Sequence, residues 1–147
     1  NGNDVGRKLL ILARELDLQN EFEEIQIQNL IPEALREGNA SDFLKRLSDL
    51  DGIYQNIKDA QGPNEVLRYI GELSGDLQQD KGKLEVKLIS VPANSALGSL
   101  KGSDSIFEIY TESYGEQPIV IQGVGAGASV TARGVFGDIL RLSEKKL

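Results

Sequence analysis

The stretch that most constrains the fold lies near the carboxyl end. A short β-like run, Pro118-Ile-Val-Ile-Gln122, breaks into Gly123-Val-Gly-Ala-Gly127 and then into Ala128-Ser-Val-Thr-Ala-Arg-Gly-Val-Phe-Gly-Asp-Ile-Leu140. Strand, glycine-rich turn and helix is the order found at phosphate and dinucleotide sites. Glycines let the backbone come close to a ligand, and a helix start offers free N–H groups and a positive dipole end to an anion. Gly123, Gly125 and Ala128 even satisfy the G-x-G-x-x-G/A spacing. A dinucleotide fingerprint, however, opens a βαβ unit, with an acidic residue about 20 residues on at the tip of a second strand. Here only one helix follows before Leu147, so the stretch does not open such a unit. Two readings remain level: close packing of a helix on a sheet, or completion of a cofactor site built mainly elsewhere.

Composition narrows the chemistry. A chain of 147 residues, 39% hydrophobic and 27% charged, is large enough for one domain with a real core. Its longest apolar run, Leu9-Leu-Ile-Leu-Ala13, is far short of the roughly 20 residues that cross a bilayer. No signal-peptide pattern opens the sequence, which begins Asn-Gly-Asn-Asp without Met, like a fragment or trimmed product. Cysteine and histidine are both absent. Disulfides, thiolate catalysis and a Ser-His-Asp triad are therefore excluded, and a structural zinc site is disfavoured, so no metal ligands are assigned. Acid–base work falls to Lys, Asp, Glu or Tyr. The net charge of −7, with no basic stripe, argues against nucleic acid as a partner. No membrane partner is expected.

Asn3 or Asp4 can cap a first helix running to about Leu18. Its Leu-Leu-Ile-Leu centre is apolar nearly all round and predicts deep burial. Glu24-Ile-Gln-Ile-Gln28 alternates like a half-buried strand ended by Ile31-Pro32. Ser41 can cap a second helix with Phe43, Leu47, Leu50, Tyr54 and Ile57 on one face and Gly52 as a weak spot. Glu65 to Leu73 and Lys83 to Val91 flank a polar turn and read as a hairpin. Leu84, Val86 and Leu88 then face the core, and Glu85 and Lys87 face outward. Ser105 to Ser113 and Pro118 to Gln122 are further strands. The closing helix carries Ala132, Val135, Phe136, Ile139 and Leu140 on one stripe, with Gly134 and Gly137 off it. This order predicts an α+β fold, a mainly antiparallel sheet covered by helices.

Asp4 and Lys8 are four residues apart and share a helix face. One reading is a surface ion pair worth a few tenths of a kcal/mol. The other is a carboxylate that holds a cationic group beside an ammonium that donates a proton. The apolar run that follows would take the helix into the core and leave Lys8 partly desolvated at its mouth. Arg7, Arg14, Lys45 and Arg46 read as solvated charges, and Asp138 as a polar-face residue or local ion-pair partner. Tyr54, Tyr69, Tyr110 and Tyr114 read as core or cross-strand residues.

Taken together, these motifs resemble one family. Asp4-Val-Gly-Arg-Lys-Leu-Leu-Ile-Leu-Ala-Arg14 is similar to the helix that carries the catalytic lysine in homoserine dehydrogenases, usually written D-V-A-R-K, with Gly6 in place of the usual Ala. Val66-Leu-Arg-Tyr-Ile-Gly71, Leu100-Lys-Gly-Ser-Asp104 and Val120 to Val135 resemble later blocks of that family, in the same order. The resemblance implies reduction of aspartate 4-semialdehyde to homoserine with NADP or NAD as cofactor. It implies that Asp4 binds the substrate's amino group, that Lys8 protonates the carbonyl oxygen, and that Gly127 touches the nicotinamide nucleotide. It further implies a catalytic and dimerisation domain over 1–122. Residues 123–147 would then be a glycine turn and helix that return to a Rossmann domain absent from this chain. A small-molecule substrate, a cytoplasmic location, a homodimer through the sheet, a bifunctional aspartokinase–homoserine dehydrogenase parent and an isolated chain without activity complete that expectation. The competing reading is a non-enzymatic α+β ligand-binding or interaction module that shares packing motifs.

Overall fold

The computed structural model describes residues 1–144, which form four α-helices and five strands. They are α1 (Asn3–Glu15), β1 (Gln26–Ile27), α2 (Ala40–Lys45), α3 (Asp51–Asp59), β2 (Glu65–Asp76), β3 (Lys81–Pro92), β4 (Asp104–Ile109), β5 (Ile119–Val124) and α4 (Ala128–Glu144). The class is α+β with mainly antiparallel pairing, as expected. The chain divides into two compact units, Asn1–Ala93 and Asn94–Leu147. That geometric division is a separate matter from the functional one drawn at 122/123, which falls inside β5.

In the first unit the sheet order is β1-β3-β2. β2 and β3 pair antiparallel, with Tyr69 opposite Leu88 and Gly71 opposite Val86. The hairpin is the predicted one but longer, because the turn is tight: Asp76 accepts from the N–H groups of Gln78 and Gln79, and Asp80 takes a left-handed φ of 53°. β1 pairs parallel to β3 and is only two residues long, because a 3-10 turn at Phe22–Glu24 consumes the start of the predicted strand. Side chains alternate on β3. Leu84 and Val86 are buried, while Lys83, Glu85 and Lys87 line the other face with Glu72 in a ladder of ion pairs of 2.8–3.1 Å.

α1 closes the core. Leu9 and Ala13 pack with Leu18, Ile25, Leu84 and Val86, and Val5, Phe22, Ile27, Tyr69 and Leu73 surround them. Two expectations for this helix are corrected. It ends at Glu15, with the left-handed Asp17 leading out, and not at Leu18. It is also not buried all round: Ile11 is 61% exposed, and Leu12 and Leu16 are exposed as well. An all-apolar segment laid on one sheet can bury only the face that meets the sheet.

The predicted second helix is interrupted. Asn39, not Ser41, caps α2 by accepting from the N–H groups of Ser41 and Asp42 at 2.9 and 3.1 Å. A 3-10 segment, Leu47–Leu50, then separates α2 from α3. Among its expected face residues, Phe43, Leu50, Tyr54 and Ile57 are half-buried and Leu47 is exposed.

In the second unit β4 and β5 form a two-stranded antiparallel ribbon. β4 stops at Ile109, short of the predicted Ser113, and β5 continues through Gly123 to Val124. Directly opposed residues share a face, so Phe107 with Ile121 and Ile109 with Ile119 make one apolar side, and all four are exposed. Tyr110 and Tyr114 are exposed too and lie outside the paired residues of β4 and β5, so neither is the core or cross-strand residue expected. Along α4, Val135, Phe136, Ile139 and Leu140 are all exposed.

Candidate functional site

The candidate site begins where α1 begins. Neither Asn3 nor Asp4 caps the helix. The cap position belongs to Gly2, which adopts a left-handed φ of 86° and makes no side-chain cap. Asn1 contributes instead, its side-chain oxygen accepting from the Asn3 N–H at 3.2 Å. Asp4 is therefore free to project from the first turn, where a carboxylate also meets the positive end of the helix dipole.

Asp4 and Lys8 meet as the spacing predicts, with Asp4 Oδ2 2.9 Å from Lys8 Nζ. Their side chains are 78% and 73% exposed. The expected partial desolvation of Lys8 is thus not met within this chain. The helix turns its other face, Gly6, Leu9 and Ala13, to the core, and keeps the charged pair beside the exposed Ile11 and Leu12. Chemically, the open side of α1 offers one carboxylate and one ammonium side by side above apolar surface.

The other charged residues that the sequence offers have partners of their own. Arg7 lies over the Phe22 ring, 5.7 Å from its centroid. Arg14 pairs with Glu21 at 2.8 Å and donates to the Leu18 carbonyl, which ties the end of α1 to the following loop. Lys45 and Arg46 pair locally with Asp42 and Asp49, and Asp138 with Arg141.

The glycine turn divides between the two readings. Gly125 is a packing glycine: a side chain there would collide with Ser105, and its N–H donates to the Ser103 carbonyl at 3.1 Å. Gly127 differs. It has a φ of 139°, and a methyl group at its α-carbon would meet no neighbour within 4 Å. Its carbonyl accepts from Thr131, from the N–H and from Oγ1, both at 3.1 Å, which starts α4. Gly127 thus offers bare backbone and the first N–H groups of a 17-residue helix to open space. It belongs to the second unit.

Sequence reasoning did not single out Gly2, the residue that starts α1. The Asn-Gly pair two residues before Asp4 was the available signal, because glycine is a permissible N-cap and alone tolerates left-handed φ at little cost. Among the described residues, no cluster of acidic side chains could hold a metal ion, and no helix is long and apolar enough to cross a membrane.

The class that the fold defines is an α+β protein with an Asp–Lys pair on the open face of one helix and, in its second unit, a strand, a glycine turn and a helix. Comparison with known proteins makes the class specific. The family model for homoserine dehydrogenase matches residues 1–140, and the chain belongs to that family. It is 44% identical over 144 residues to the chloroplastic bifunctional aspartokinase/homoserine dehydrogenase of Daucus carota, covering 97% of this chain and 15% of that protein. It is 40% identical over 149 residues to the homoserine dehydrogenase of Paracoccidioides brasiliensis, covering 99% of this chain and 39% of that protein. Among solved structures it matches a Candida auris protein of unknown function with a TM-score of 0.77 and 36% identity, over 99% of this chain and 40% of the other. The chain therefore spans well under half the length of these relatives.

Proposed function

We propose that this chain supplies the substrate-binding and proton-donating part of a homoserine dehydrogenase, which interconverts aspartate 4-semialdehyde and homoserine with NADP or NAD. The observation that carries the reading is the Asp4–Lys8 pair, 2.9 Å apart on the open face of α1, in a chain of this family. The Asp4 carboxylate takes the ammonium group of the semialdehyde. The Lys8 ammonium stands beside it and gives a proton to the carbonyl oxygen as that oxygen gains negative charge. A nicotinamide nucleotide supplies the hydride that reaches the carbonyl carbon. Gly127 fits contact with it, since nothing occupies the space where its side chain would be. The exposed Ile11 and Leu12 beside the pair fit a site that is closed by the remainder of a longer enzyme, where Lys8 leaves water. The apolar stripe of α4 fits the same role.

A homodimer is part of this proposal. A two-stranded ribbon is marginal in water, and its apolar side, Phe107, Ile109, Ile119 and Ile121, is exposed. A symmetric partner covers such a side economically. The matches to aspartokinase-fused relatives support a bifunctional parent, and a cytoplasmic location is proposed with it.

The test is mutational, in the full-length enzyme. Lys8→Ala lowers kcat by roughly 10²-fold or more with little change in KM, because the proton is given only in the transition state. Asp4→Ala raises KM for the semialdehyde. Near-normal kinetics in both variants would return the pair to a surface ion pair and favour the non-enzymatic module.

A further inference from the structure

The placement of Asp4 and Lys8 depends on how α1 starts, and that start is unusual. Gly2 sits at φ 86° and ψ −8°, and its carbonyl accepts the first helical hydrogen bond, from the Gly6 N–H at 2.9 Å. Its α-carbon backs onto two side chains. A methyl group there would collide with Tyr69 Oη and would lie 2.6 Å from Ile27 Cγ2 and 3.3 Å from Tyr69 Cζ.

Tyr69 is not free to retreat. Its hydroxyl donates to the Gln28 carbonyl at 2.6 Å. Gln28 is held in turn from β3: its N–H donates to the Val86 carbonyl at 2.8 Å, and its Oε1 accepts from the Leu88 N–H at 2.8 Å. Leu88 is also the residue directly opposite Tyr69 in the β2–β3 ladder. The phenol is therefore triangulated by β2, by β3 and by the chain leaving β1. Burial, with a smaller effect from Tyr54, raises the pKa of the Tyr69 hydroxyl, which keeps it a donor.

We infer that Gly2 and Tyr69 form a positioning latch for the Asp4–Lys8 pair: the bare α-carbon of Gly2 seats against the fixed phenol and so sets where the first turn of α1 stands. The inference rests on the function proposed above for that pair. Neither residue touches the reacting atoms; both act through the helix.

The geometry also says which partner suffers first. Clearing Ile27 Cγ2 alone, from 2.6 Å to ordinary contact at roughly 3.6 Å, requires a shift of about 1 Å, and the nearer Tyr69 Oη requires more. Leu9 and Ala13 are buried and hold the middle of α1, so the first turn takes the displacement. Asp4 lies in that turn, whereas Lys8 lies one turn nearer the anchor. A misplacement of about 1 Å can cost on the order of 10²-fold in a catalytic site.

The test uses the full-length dehydrogenase and steady-state kinetics for both substrates, with Lys8→Ala run in parallel. Gly2→Ala is expected to raise KM for aspartate 4-semialdehyde roughly 10-fold or more, to lower kcat less, and to leave KM for the nicotinamide nucleotide unchanged. Tyr69→Phe, which keeps the ring and loses only the tether to Gln28, is expected to give a smaller rise of the same kind. In the Gly2→Ala background the sign reverses. Tyr69→Phe removes the atom that the new methyl group meets first, so the double variant binds semialdehyde better than Gly2→Ala alone. If Gly2→Ala does not fold, Tyr69→Phe decides: an unchanged KM for semialdehyde overturns the latch. Equal rises in both KM values, or no rescue in the folded double variant, overturn it as well. Normal kinetics in Lys8→Ala would overturn the underlying reading instead, so the two failures are distinct.

Discussion

Replacing Gly6 by alanine sets three effects of similar size against one another, and the structure predicts their balance. Gly6 lies inside α1 and is buried. Alanine is favoured over glycine in a helix interior by about 1 kcal/mol. The added methyl group would be buried against apolar atoms, worth about 0.8 kcal/mol. Against this stands crowding, because the new carbon would lie 3.0 Å from Ile27 Cδ1 and 3.3 Å from Phe22 Cε2. Overpacking of a rigid core costs about 1–3 kcal/mol, but Ile27 Cδ1 is the tip of a half-buried side chain. A torsion change of about 30° there costs about 1 kcal/mol. The net expectation is a gain of about 1 kcal/mol. For a cooperative unit of this size that raises Tm by about 4–8 °C. Urea denaturation followed by circular dichroism should show a higher midpoint at unchanged slope. A lower midpoint would refute the reasoning by showing that Ile27 and Phe22 cannot yield. Recovery on adding Ile27→Val, which deletes the crowding carbon, would then locate the obstruction.

Three further outcomes are expected. Hydrogen bonds from Lys83 and then Lys87 hold the Glu85 carboxyl below its ordinary pKa. That contribution to stability is present above the unfolded-state pKa and is lost as pH falls through the lowered folded value. Glu85→Gln should therefore flatten the acid limb of a plot of urea midpoint against pH, and an unchanged limb would remove the ladder from the account. Amide exchange should be faster across α4 than from Lys8 to Arg14, because α4 leaves its apolar stripe exposed; equal protection would show that α4 is anchored. Light scattering at micromolar concentration should give about twice the monomer mass of 16.0 kDa, and a monomeric value would count against the symmetric cover on the β4–β5 ribbon.

Periodicity made some of this structure legible and left other parts hidden. The β2–β3 hairpin was readable because Leu84 and Val86 alternate with charged residues that pair on the opposite face. The Asp4–Lys8 contact was readable because a spacing of four places side chains together on any helix. Burial was less so: Ile11 and Leu12 are as apolar as Leu9, and only the position of the sheet decides that Leu9 is covered. Local competition was hidden as well. Asn39 outbids Ser41 as a cap by reaching two N–H groups, and the Phe22–Glu24 turn shortens β1. The glycine turn was ambiguous for a physical reason, since a side chain at Gly125 would collide with Ser105 whereas one at Gly127 would meet nothing within 4 Å.

The Asp4–Lys8 pair rides on a helix whose opposite face, Leu9 and Ala13, is embedded in the sheet core, and whose end is lashed to the next loop through Arg14 and Glu21. Its first turn, in contact with Ile27 and Tyr69, has no slack either. In kinematic terms, helix and sheet are one link, with no joint between the charged groups and the strands. For the site proposed above, any opening or closing around a ligand is then a motion of this whole body. Within the first unit, the freedom left to the pair is the rotation of two exposed side chains.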